Sequence, residues 1–154
     1  MSSRLARLCA LVPLCILLAS TLAARSRPPA VFDALLSGRL HVPLEELASR
    51  APLGPGQGFR VAPIGRDAHT SHHVVTIRDR EVPHRHDRHD LVVVMLRGHG
   101  YMRLGTEERP VGEGSVLYVP RGTPHAFRNE SDAPAVAYAM YAPAFDGEDR
   151  VTVE

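Results

Sequence analysis

The sequence contains no lysine, and all 18 of its cationic residues are arginines. Schiff-base chemistry through a side-chain amine is therefore excluded. Its two cysteines, Cys9 and Cys15, both fall within residues 1–24. That stretch reads as a removable leader, and without it the chain has no thiol nucleophile, no disulfide and no cysteine-ligated zinc. Charge of either sign is not in excess, with 18 cationic residues against 17 acidic ones. Removing Arg4 and Arg7 with the leader leaves 16 against 17, a net −1. No basic run of the kind that tracks nucleic acid is present. The remaining chemistry falls to His, Asp, Glu, Tyr, Ser, Arg or a bound metal, and all nine histidines lie after the leader.

The leader has three parts. Arg4 and Arg7 precede an apolar run from Leu8 to Ala19, and Ser20-Thr21-Leu22-Ala23-Ala24 follows. A positive start, a short apolar middle and a small-residue end describe a secretory signal peptide, with cleavage expected after Ala23 or Ala24. The alternative is an uncleaved anchor, but Leu8 to Ala24 is 17 residues, at the low edge for spanning a bilayer. The expected location is the periplasm or the exterior.

The rest is one domain's worth of chain, with 44% apolar residues overall to build one core. Residues 25–58 read as a tether, Arg25 to Pro29, and two short helices, Ala30 to Ser37 and Pro43 to Arg50. The second has Pro43 at its start, then Glu45 and Glu46, an order that suits the helix dipole. Ala51-Pro52-Leu53-Gly54-Pro55-Gly56-Gln57-Gly58 breaks the chain. From Phe59 the texture becomes β. Strands are expected at Phe59–Ile64, Ser71–Arg78, Leu91–Leu96, Tyr101–Leu104, Glu108–Val111, Ser115–Val119, His125–Phe127 and Ala135–Tyr141. Regular Gly, Pro, Asp and Asn punctuation predicts an all-β sandwich or barrel over residues 59–145, followed by a tail at 146–154.

His84 and His86 are one residue apart, so on a strand they share a face. His125 arrives on a later strand-like segment. Neutral imidazoles converging inside a small β-structure make a ready site for a divalent metal such as Fe, Mn, Zn, Ni or Cu.

Two motifs carry a family resemblance. Gly114, Pro120, Gly122, His125 and Asn129 reproduce every fixed position of the pattern Gly-x5-Pro-x-Gly-x2-His-x3-Asn. His84, His86 and Gly98 fit the companion pattern Gly-x5-His-x-His-x3-or-4-Glu-x6-Gly, which departs at Arg78, where its leading glycine would stand, and at its acidic position. The stretch from Val82 to Asn129 thus resembles the cupin family. That resemblance implies a double-stranded β-helix, a jelly-roll barrel, here with a short helical N-terminal extension. It also implies a metal held by His84, His86, His125 and an acidic residue of the first motif.

The acidic position is Asp90 counted forward from His86, and Leu91 counted back from Gly98. One step reverses the face of a strand side chain. If Asp90 faces inward, so do Val92, Val94 and Leu96, an apolar set suited to an interior, and Asp90 is favoured on that ground. His89 is the rival ligand, and three histidines with water is the remaining option. His72 and His73 are expected outside the ligand set, and His41, His69 and His99 on the surface. Tyr101, Tyr118, Phe127, Tyr138 and Tyr141 are read mostly as core, and Phe145 to Asp149 as a solvated acidic turn. The resemblance implies a small exported cupin acting on a small oxygen-bearing molecule, as dioxygenase, isomerase or decarboxylase. The alternative is a non-catalytic envelope module that binds a small ligand or the metal. Two barrels are expected to pair as a homodimer, through Phe59–Ile64 or the Phe32–Leu36 helix.

Overall fold

The computed structural model describes residues 30–31 and 42–154. The leader, the tether, His41 and residues 32–37 of the first expected helix lie outside them. Ala30 and Val31, expected to begin that helix, instead form strand β1 (Ala30–Val31), which pairs antiparallel with β2 (Val42–Pro43). Helix α1 (Leu44–Ala48) follows, with Pro43 as its N-cap and Glu45 and Glu46 in its first turn. It is shorter than the expected Pro43–Arg50 because Ser49 is already its C-cap.

The barrel is a double-stranded β-helix of two five-stranded antiparallel sheets. One contains β3 (Phe59–Arg66), β4 (Ser71–Ile77), β6 (Asp90–Arg97), β9 (Val116–Val119) and β11 (Ala135–Ala142), ordered β3-β4-β11-β6-β9. The other contains β5 (His84–Arg85), β7 (His99–Leu104), β8 (Glu107–Gly112), β10 (His125–Asn129) and β12 (Val151–Thr152), ordered β12-β5-β10-β7-β8. The expected strands are all present, shifted by a residue or two at their ends. The tail differs from expectation: part of it is β12, paired with β5 at Val151–Arg85 and Thr152–His84.

The main core lies between the sheets and includes Val75, Ile77, Leu91, Met95, Met102, Phe127 and Tyr141. A second cluster lies on the outer face of the first sheet, where Val42, Leu47, Ala48 and Ala51 cover Ala62, Ile64, Val74 and Val136. The N-terminal segment therefore buries β4 on both faces, and every residue from Ser71 to Ile77 is buried. That is why both His72 and His73 are inside although they point to opposite faces. At the far edge of this sheet, β9 alternates Leu117 and Val119 inward with Val116 and Tyr118 outward. Tyr118 is 59% exposed and Tyr101 37%, so neither belongs to the core as expected.

Two turns bind the second motif to the barrel. Gly122 adopts φ +76°, a conformation open to glycine, and its N–H donates to the His86 carbonyl at 2.6 Å. Asn129 donates through Nδ2 to the carbonyls of Arg78 (2.8 Å) and Ala133 (2.9 Å), and its Oδ1 accepts the Ser131 N–H. That places the residue in the turn role its motif position suggests.

Candidate metal centre

His84 opens β5 and pairs across the sheet with His125, the first residue of β10. His86 follows one residue past β5. All three are buried, and one ring nitrogen from each lies within 4.8 Å of the others. The His84 and His125 ring centroids are 4.3 Å apart, and His86 stands 5.2 and 5.4 Å from them.

Each ring is held from behind by a backbone carbonyl. Nδ1 of His84 donates to Val82 at 2.9 Å, Nδ1 of His125 to Thr123 at 3.0 Å, and Nδ1 of His86 to Asp149. With the proton on Nδ1, each Nε2 lone pair is free to bind a metal, and such outer hydrogen bonds set ligand orientation and basicity. Nε2 of His86 is buried with no hydrogen-bond partner. A buried polar atom without a partner is costly, and a cation would satisfy it. Burial depresses His84 to about 3 and His125 to about 4, and neighbouring imidazoles and Arg150 reinforce the shift. Burial also lowers His86, against the Asp149 carbonyl. All three are therefore neutral at physiological pH, the form that binds metal. The residues present fit a divalent ion.

The acidic position comes out differently from expectation. Asp90 faces away from the histidines, and its carboxylate accepts the Arg121 N–H (2.9 Å), Nε (3.2 Å) and Nη2 (2.8 Å). Leu91, Val93 and Met95 line the interior instead. The apolar run of β6 can cover either face, and the outward set has its own use, since Leu96 packs on the outer cluster. Alternation alone therefore could not choose the register. His89 is not in the cluster either. It is buried, but its Nδ1 donates to Asp149 Oδ2 at 2.6 Å.

Asp149 is the residue sequence reasoning missed most clearly. Read as part of a solvated turn, it is only 3% exposed. Its carboxylate accepts the N–H groups of Asp87 (2.9 Å) and Arg88 (2.8 Å) as well as His89. Burial works to raise this carboxyl, but those donors outweigh it and hold it at about 2. One residue thus clamps the His84–His89 segment through its side chain and His86 through its carbonyl.

The histidines border a cavity of about 120 Å³ walled largely by aliphatic and aromatic side chains. Glu81, Tyr141 and Arg150 also line it. Glu81 accepts the Phe127 N–H through Oε2 at 3.1 Å, and burial pushes it up to about 7 against that bond and the charge of Arg150. Tyr141 is the tyrosine that faces the interior. Its ring stacks on Phe145 and meets His86 edge-on, and burial raises its phenol. Elsewhere, His73 packs edge-on against Tyr141, with Nε2 2.9 Å from Ser71 Oγ, and burial lowers it to about 4. His69 and His99 are exposed, as expected.

Comparison with known proteins agrees with this architecture. The cupin-domain family model matches residues 72–141. An uncharacterized protein of Aquifex aeolicus is 34% identical over 111 residues, spanning 72% of this chain and 90% of that one. TT1209 from Thermus thermophilus superposes with a TM-score of 0.56 at 25% identity, over 63% of this chain and 94% of that one. Streptomyces PAC13 with uridine does so with a TM-score of 0.57 at 18% identity, over 70% and 88%. A histidine pair met by a third from the neighbouring strand, in a barrel whose residues 72–141 the cupin-domain model matches, places this chain in the cupin family.

Proposed function

We propose that this cupin is a metal-dependent enzyme for a small molecule, with His84, His86 and His125 holding one divalent ion through Nε2. The observation that carries it is three buried imidazoles, each fixed at Nδ1 by a backbone carbonyl, with ring nitrogens within 4.8 Å. Zn, Fe, Mn, Ni and Cu all accept imidazole ligands. When bound, the ion would supply Lewis acidity to a ligand oxygen. Turnover is favoured over simple metal storage because Glu81 and Arg150 share the cavity with the histidines, and storage has no use for them. Elemental analysis of the purified protein should find about one transition-metal ion per chain. His84→Ala, His86→Ala and His125→Ala should each lower it at least about tenfold. Full occupancy in all three variants would end this reading.

The reading includes export and pairing of barrels. The N-terminal pattern of residues 1–24 supports export, and a native protein that kept Met1 in the cytosol would remove it. Exposed Val116 and Tyr118 on the β9 edge support a homodimer. A monomer mass by light scattering at high micromolar concentration would count against that.

A further inference from the structure

The walls of the cavity discriminate among ligand classes. Val61, Val75, Ile77, Val93, Met95 and Leu117 offer no hydrogen-bond donor and, apart from the weak thioether sulfur of Met95, no acceptor. The polar groups are the three histidines, Glu81, Tyr141 and Arg150. Most of these are committed: each histidine Nδ1 holds a carbonyl, and Glu81 holds the Phe127 N–H. A ligand with hydroxyls around its whole periphery would leave several of them buried against hydrocarbon. Each such group costs on the order of tenfold in affinity. The volume, about 120 Å³, is small. A dry cavity of about 150 Å³ holds a benzene ring, so this one suits a branched aliphatic body of similar or smaller size.

Arg150 supplies the other half of the argument. It follows the clamp residue Asp149 and precedes β12, so its backbone is fixed on both sides. Its Nη2 lies 3.3 Å from the Val82 carbonyl and 3.2 Å from His84 Nδ1, and its guanidinium sits 5.7 Å from the Phe59 ring centroid. The side chain is exposed yet lines the cavity, which puts a permanent cation next to the histidine cluster. A guanidinium is suited to a carboxylate, which it can bind with two parallel hydrogen bonds. With a divalent ion on the histidines, the site carries three positive charges, and Glu81, pushed up to about 7 by burial, offsets at most one of them.

We infer that the cavity takes a small monocarboxylate with an apolar body, its carboxylate between Arg150 and the histidine centre and its hydrocarbon against the aliphatic wall, and that it excludes nucleosides and sugars. This rests on the metal reading above for part of the positive charge, while the wall and Arg150 belong to the protein alone.

The test uses zinc-loaded protein of measured zinc content, with the metal-free protein in parallel. Three probes are titrated by calorimetry: isovalerate, isoamyl alcohol as its uncharged counterpart, and uridine. Isovalerate should bind zinc-loaded protein at least about tenfold more tightly than isoamyl alcohol, and uridine should not bind. Arg150→Gln should weaken isovalerate about tenfold or more when compared with parent protein matched for zinc content. Glu81→Gln, measured at about pH 8 where Glu81 is mostly ionised in the parent, should strengthen it. In metal-free protein the Arg150 effect should persist with weaker overall binding. Failure to load zinc would refute the metal reading while leaving the metal-free comparison to judge this one. Equal binding of acid and alcohol, undiminished binding in Arg150→Gln, tighter binding of uridine, or no binding of any probe would each overturn the inference.

Discussion

His89 and Asp149 meet at 2.6 Å, both side chains only 4% exposed. The contact joins the loop after the ligand pair to a residue sixty positions later, and the same residue's carbonyl orients His86. Asp149→Asn should therefore damage metal binding without touching a ligand. The amide cannot accept from all three donors. The expected loss is about tenfold in zinc affinity by competition titration, the low end of what disturbing an outer partner of a ligand costs, because the carbonyl stays while the carboxylate that holds it in place is weakened. Unfolding stability should fall by about 2–4 kcal/mol, as for other broken buried networks. His89→Ala, which leaves the carboxylate bonded to the Asp87 and Arg88 N–H groups, should cost less affinity. Unchanged zinc binding in Asp149→Asn would show that the clamp does not set ligand geometry.

Leu91 stands where the first motif carries its acidic residue when counted from Gly98, and it faces the cavity. Leu91→Glu should add a carboxylate to the wall near the histidines. Metal-free protein should lose stability, because an unpaired buried carboxylate is expensive. Zinc should restore much of the loss, giving a larger zinc-induced rise in thermal midpoint than the parent shows. An equal rise in both proteins would mean that position 91 cannot reach the ion.

Asp90 and Arg121 give a pH dependence with a definite sign. The Arg121 side chain, then its backbone N–H, hold the Asp90 carboxyl at about 2. The unfolded value is about 3.9. A carboxyl lowered on folding contributes stability that is present above the unfolded value and is lost as pH falls through the folded one. The parent should lose this contribution between about pH 4 and pH 2, and Asp90→Asn should show a shallower decline across that window. Metal content should be the same in both. A loss of metal in Asp90→Asn would restore Asp90 to the ligand set.

Much of the barrel was legible because its strands announce themselves by alternation and punctuation, as β9 and β11 do. The three histidines were legible because the motif spacing places them, and strand pairing of His84 with His125 brings them together. Three things were not. The face of β6 was hidden by a run apolar on both sides, one set needed by the cavity and the other by the outer cluster. The burial of His72 depended on a covering N-terminal segment that strand periodicity cannot show. Asp149 sat among Asp146, Gly147 and Glu148, a local composition typical of a solvated turn. Its burial comes from contacts with residues 87–89, which no local pattern encodes. Glu81 had a weak signal, being an acidic residue three positions before His84, but no periodicity to fix its direction.

The pairing of β12 with β5 also bears on when the site can exist during synthesis. His84 and His86 leave the ribosome some sixty residues before Asp149, which orients His86, and Thr152, which pairs with His84. A nascent chain that already displays all three histidines still lacks the carbonyl behind His86. On the metal reading proposed above, an ion would therefore be captured late, after Asp149 has emerged. If the chain crosses a membrane unfolded, that capture falls on the far side, and the metal pool there, rather than the one beside the ribosome, decides which ion is held.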